Sequence, residues 1–169
     1  MNNQIQNKEI MENFGRTILV AVTAMALTMG GCKKETGIPT LEEEMNFKKP
    51  VAVDLSISAF FNGPSTTAGT FTSTGFLNTS GTTAETVTLT SQTFHGQTIF
   101  TDANGSFTAV INGQWSMTSP STALGQGNWN IINGTGDYAQ LKGNGQLSFT
   151  VDFATGAVND TWTGDMHIQ

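Results

Sequence analysis

Residues 129–147 read WNIINGTGDYAQLKGNGQL, with four glycines and the chain's single tyrosine. Trp129 and Ile131 share one face of an extended segment that Asn133-Gly134 is expected to end. Thr135 is placed to cap a short helical turn over 135–141, on which Tyr138 and Leu141, three apart, lie on one side. Gly143 and Gly145 then let the following strand bend, or pass close to other backbone, with no Cβ in the way. The segment therefore reads as strand, plug, strand. Tyr138 and Leu141 would cover one end of a sheet or barrel.

The same alternation extends outward in both directions. Val51, Val53, Leu55, Ile57, Ala59 and Phe61 recur with period two until Asn62-Gly63-Pro64 breaks the run. Further strands are predicted over 69–77, 82–90 and 93–101, and Asn104-Gly105 favours the φ > 0 positions of a hairpin turn. Phe107, Ala109 and Ile111 mark a fifth strand, extended by a bulge past Asn112-Gly113 to Trp115. A loop, MTSPSTALGQ (117–126), precedes the strand of Trp129. Leu147, Phe149, Val151 and Phe153 define a seventh strand. Val158, Trp162, Met166 and Ile168 define an eighth, after a turn at Thr155-Gly156. Eight strands at this spacing imply a sandwich or a barrel. Closing the sheet removes exposed Thr- and Val-rich edges, so an all-β, eight-stranded antiparallel barrel is expected.

Composition narrows the classes of function. The 169 residues carry a net charge of −6, and only 12% are charged. From Val51 onward Lys142 is the one Lys or Arg, against seven acids. That surface would repel a phosphate backbone, so no nucleic-acid partner is expected. One cysteine, Cys32, excludes an intrachain disulfide and a multi-cysteine metal site.

Arg16 precedes TILVAVTAMALTMGGC, an apolar run ending at Cys32. It is short for a transmembrane helix, which needs roughly 20 apolar residues, and it fits a secretory signal. Met29-Gly30-Gly31-Cys32 resembles the lipobox of bacterial lipoproteins. The resemblance implies a diacylglycerol thioether on Cys32, removal of residues 1–31 and acylation of the new amino terminus. Met29 stands where Leu is usual. Glu9 and Glu12 are atypical of a positive leading region, and a start at Met11 would give a more ordinary signal. An unlipidated secreted chain is the alternative.

Residues 32–50, with Pro39, Pro50 and mixed charges, read as a flexible tether, and LEEEM within them is too short for a stable isolated helix. Lys33 follows Cys32, unlike the Asp of the inner-membrane retention signal of enteric bacteria. CKKE resembles the start of many Bacteroidetes lipoproteins. The expected location is the bacterial cell envelope, lipid-anchored at the outer membrane, with residues 51–169 as the barrel domain.

The pattern W-x-I-x-x-G-T-G-x-Y-x-x-L-x-G-x-G, the later Thr155-Gly156 and the final WTGDMHI resemble bacterial proteins of the allene oxide cyclase/dirigent barrel group. The resemblance spans roughly residues 53 to 169. It implies a lipocalin-like closed barrel with an apolar cavity. No catalytic residue of the plant cyclases or of dirigent proteins carries over, because no matching motif is present.

The chemistry-bearing residues are few. His95 and His167 lie in no HExxH or Ser-His-acid pattern, so no catalytic, cofactor or metal site is expected. Asp102-Ala103-Asn104-Gly105 starts like a calcium loop, lacks the Glu that completes one, and reads as a hairpin. Glu85 shares the parity of Val87 and Leu89. It is either inside the barrel, with a raised pKa, or a solvated strand-end residue. Trp115, Trp129, Trp162 and Tyr138 are candidates for a cavity lining or a sugar-binding platform, with core packing as the alternative. The leading expectation is a lipid-anchored binding module for a small apolar ligand or glycan. The alternatives are a cavity-steering cyclase- or isomerase-like enzyme and a purely structural or adhesive envelope protein.

Overall fold

The computed structural model describes residues 49–169. Residues 1–48, which include the expected signal peptide, Cys32 and nearly all of the tether, lie outside the described residues. Eight antiparallel strands follow in chain order: β1 (Val51–Gly63), β2 (Thr66–Gly75), β3 (Ser80–Leu89), β4 (Thr93–Asp102), β5 (Gly105–Met117), β6 (Thr122–Gly136), β7 (Leu141–Asp152) and β8 (Ala157–Ile168). Each pairs with the next, and β1 also pairs with β8 along Val51 to Phe60, so the sheet closes on itself. Closure satisfies both edges of every strand and leaves none to recruit another chain.

Period two sorts the side chains. Val53, Leu55, Ile57 and Ala59 of β1 are buried while Asp54, Ser56 and Ser58 face solvent. The interior is dominated by rings. Tyr138 packs edge-on to Phe107, which stacks on Phe100 with centroids 4.6 Å apart. Phe100 meets Trp162 edge-on at 5.2 Å, and Trp162 stacks on Trp129 at 5.8 Å. Fully burying each such side chain contributes about 1.5–3 kcal/mol. The column fills the half of the barrel nearest the 136–141 turn.

That turn answers the question posed by the 129–147 segment, with corrections. The expected short helix is a run of hydrogen-bonded turns: Thr135 O accepts from the Tyr138 amide, Gly136 O from the Ala139 amide and Tyr138 O from the Leu141 amide. Among the described residues there is no helix. The glycine at 136 has φ of 60°, a conformation that costs an L side chain energy. β6 does not stop at Asn133-Gly134 but continues to Gly136. The predicted bulge at Asn112-Gly113 is absent. The irregularity lies opposite Thr108 and Ala109, where Ile132 of β6 is the extra residue, and it points outward. Much of the expected 117–126 loop is strand, because β6 begins at Thr122 and pairs with both neighbours from its first residues. β2 runs from Thr66 to Gly75 instead of 69–77.

Gly145 has a packing role that needs β8 to explain it. A Cβ there would stand 2.0 Å from Thr163 O and 2.8 Å from Trp129 Nε1, and one on Gly164 would meet Trp129 Cζ2 at 2.7 Å. The indole of Trp129 lies flat over two glycine-bearing strands. Its Nε1 donates to Gln146 O and Thr163 O, so a large, fully buried ring has a satisfied polar atom.

Candidate functional site

The two ends of the barrel differ. At the end holding the β2–β3, β4–β5 and β6–β7 connections, Tyr138 and Leu141 are buried and Leu77 joins them. Asp102, the last residue of β4, ties the three connections together. Its Oδ2 accepts from the Tyr138 hydroxyl at 2.5 Å and from Thr79 Oγ1 at 2.7 Å, and its Oδ1 accepts from the Asn104 amide at 2.8 Å. Burial pushes the Asp102 pKa up, but these hydrogen bonds outweigh it and hold the carboxyl below its ordinary value. Tyr138 is pushed up to about 12 by burial and by the adjacent Asp102, so its hydroxyl remains a donor throughout the neutral range.

At the opposite end a cavity of about 40 Å³ opens between the β1–β2, β3–β4, β5–β6 and β7–β8 connections. Trp162 contributes to the inner wall, Val87, Ile111 and Phe94 to the sides, and Phe61, Leu89, Trp115 and Phe153 to the mouth. Leu89, Met117 and Phe153 leave 40–46% of their surface exposed around the rim. Phe61 and Phe153 stack there at 6.1 Å. Trp115 reaches across to the β3–β4 hairpin, where its Nε1 donates to Thr90 O at 3.0 Å.

Two acids sit inside this apolar lining. Glu85 points inward from β3, with Thr67 and Thr98 as its partners on β2 and β4. Its Oε2 accepts from Thr98 Oγ1 at 2.7 Å. Burial raises its pKa, and the Thr98 hydrogen bond opposes part of that rise. Asp160 enters from β8 with only 9% of its surface exposed, facing Ile57 of β1 and Phe149 of β7 across the ladders. Its Oδ1 has no hydrogen-bond partner among protein atoms, and neither do Trp162 Nε1 and Thr83 Oγ1. Burial, reinforced by the nearby Glu85 charge, pushes Asp160 up to about 8. Among the described residues no Lys, Arg or His lines the cavity.

The structure therefore separates the residues singled out from sequence. Glu85 is in the cavity, so the solvated strand-end alternative does not hold. Trp162 and Trp115 also line the cavity, at its inner wall and its mouth. Trp129 lies in the core and Tyr138 in the opposite end, and neither lines the cavity. Cys32 lies outside the described residues. His95 is exposed on the outer face of β4, two residues from its start, and His167 is on β8 opposite Lys142. Asp102 to Gly105 form the expected hairpin. Among the described residues no group of three or more His, Cys, Asp or Glu side chains is arranged to hold a metal ion.

Sequence reasoning missed Asp160. The signal was present, because Asp160 has the same parity as Val158 and Trp162, both recognised as inward. An acid in that register is either an error of parity or a buried functional group. Compared with protein-family models, curated proteins and solved structures, the chain matches none.

Proposed function

We propose that this chain is a lipid-anchored protein of the bacterial cell envelope whose barrel binds a small, largely apolar molecule at its open mouth. The observation carrying the binding reading is the difference between the ends, one plugged by Tyr138 and Leu141 and the other leading into an aromatic-lined cavity. The anchor rests on the lipobox-like Met29-Gly30-Gly31-Cys32. β1 begins at the plugged end, so the mouth lies at the end of the barrel remote from where the chain enters it.

Size restricts the ligand. Pockets that enclose drug-sized molecules measure about 300–1,000 Å³, whereas this cavity is about 40 Å³. It takes the slender end of a molecule whose remainder rests on the rim formed by Leu89, Met117 and Phe153. The same number weighs against a steering enzyme, which must enclose its intermediate, although the two interior acids favour that alternative. A glycan platform needs exposed ring faces, and Trp129 and Trp162 are 2% and 1% exposed.

Titration with the neutral fluorophore N-phenyl-1-naphthylamine tests the binding reading. Saturable enhancement is expected, and Val87→Phe, which narrows the cavity, should abolish it while leaving the circular dichroism spectrum unchanged. Undiminished binding in that variant would remove the cavity from the proposal. For the anchor, palmitate labelling of the chain and of Cys32→Ser is the direct measurement; a labelled variant would sink that part.

A further inference from the structure

We infer that Glu85 and Asp160 together form a recognition site for a primary ammonium group carried on a slender apolar tail. The inference rests on the binding reading above and adds the chemical class of the ligand. Carboxyl groups are costly to bury unless a cation or several donors compensate them. Here Thr98 Oγ1 donates to Glu85 alone, and among the described residues no cationic side chain lines the cavity. Asp160 Oδ1 is buried and unpartnered on a residue that lines it.

The surrounding wall suits the same group. Phe94, Trp115, Phe149 and Trp162 line the cavity, and aromatic faces attract a cation within about 6 Å of the ring centre. A primary ammonium offers three N–H donors to carboxylate acceptors. A trimethylammonium head offers none and is bulky for a space of about 40 Å³. A carboxylate or phosphate head would meet two acids. The apolar mouth of Phe61, Leu89 and Phe153 then receives the tail.

Protonation gives the site a signature. Of the groups lining the cavity, Glu85 and Asp160 are the titratable ones, and Ile57 and Phe149 face Asp160 from the adjacent strands. Burial and the nearby Glu85 push Asp160 up to about 8, while an alkylammonium keeps its proton to about 10. Ammonium binding at neutral pH therefore ionises Asp160 and releases up to one proton. Affinity should rise by up to about tenfold per pH unit between pH 6 and 8, then level off.

The test is isothermal titration calorimetry of the full chain with hexylamine, hexan-1-ol and hexanoate. Hexylamine should bind at least tenfold more tightly than hexan-1-ol, and hexanoate should be the weakest. Heats in two buffers of different ionisation enthalpy should show proton release for the amine alone. The double variant Glu85→Gln/Asp160→Asn should bind amine and alcohol equally, its retained alcohol binding showing an intact barrel. Equal affinity for amine and alcohol in the unmodified chain, or no proton release, overturns the ammonium site and leaves the apolar-binding reading standing. Failure of all three ligands and of N-phenyl-1-naphthylamine overturns both.

Discussion

At the plugged end of the barrel an acid is surrounded by donors; at the open end two acids are surrounded by rings. Asp102 accepts hydrogen bonds from Tyr138, Thr79 and the Asn104 amide, and they stabilise its charge at neutral pH. Glu85 accepts from Thr98 alone, Asp160 Oδ1 has no protein donor, and burial favours the neutral forms of both. The first arrangement spends a carboxylate on joining three chain connections. The second leaves carboxyl capacity unused beside a cavity. Buried polar groups in folded proteins are normally partnered, so the unused capacity supports the proposal that a ligand binds at the open end.

Four measurements would break or sharpen that contrast. The largest effect is expected from Tyr138→Ala, which removes the plug ring packed on Phe107 and the donor to Asp102 together. It should cost about 3–5 kcal/mol in urea denaturation, the range for large core truncations. A loss under 1 kcal/mol would mean that the plugged end is not structurally stiffer than the mouth.

The second measurement uses pH. Asp160 is an acid whose folded pKa, about 8, lies above its ordinary value of 3.8. The folded chain then holds a proton that the unfolded chain has lost. Its stabilising contribution is full below about pH 4 and disappears as pH rises to about 8. Thermal unfolding should show stability falling across that window by on the order of a few kcal/mol. Asp160→Asn should flatten the curve. Asp102 acts in the opposite sense, since its lowered pKa gives stability that is lost as pH falls below the carboxylate range. Acid should therefore loosen the plugged end, and mild alkali should destabilise the barrel through its open end.

The third variant, Tyr138→Phe, keeps the ring and deletes the hydroxyl. A loss of about 1.5–3 kcal/mol is expected for a hydrogen bond to a charged group, together with a weaker acid transition, both readable from unfolding at pH 7 and pH 3. The smallest effect belongs to the rim. Phe153 is 42% exposed, and Phe153→Ser should change stability by no more than about 0.5 kcal/mol. It should nevertheless weaken fluorophore binding, which separates a surface kept for contact from one kept for folding.

Much of this architecture was legible in the sequence because strand parity and turn chemistry are local. Val51 to Phe61 announce a half-buried strand, and Asn104-Gly105 announces a hairpin. Tyr138 and Leu141 were recognisable as a cover because both follow the strand-ending glycines at one spacing. Counting twos from Val87 offers the interior for Glu85 beside a solvated strand end, and the position of its side chain in the closed barrel decides for the interior. The failures have equally local causes. Asn112-Gly113 and Asn133-Gly134 carry turn chemistry, yet both lie inside strands, the first paired on two sides and the second held by Thr108 and Phe107 of β5, because ladder pairing outweighs the preference of a dipeptide. The 135–141 segment is too short to complete a helix, and its hydrogen bonds close as successive turns.

The sequence by itself determined that residues from Val51 onward form alternating strands with glycine-rich turns, and which side chains each strand turns inward. Tertiary structure alone decided which inward residues meet. Glu85 and Asp160 are on β3 and β8, and they share a cavity only because the sheet closes and its stagger sets their relative heights. Trp129 needs Gly145 and Gly164 from two other strands, and Asp102 gathers donors from two other connections. Parity is a property of one strand, set by backbone geometry, whereas height around a barrel accumulates over every register in the ring.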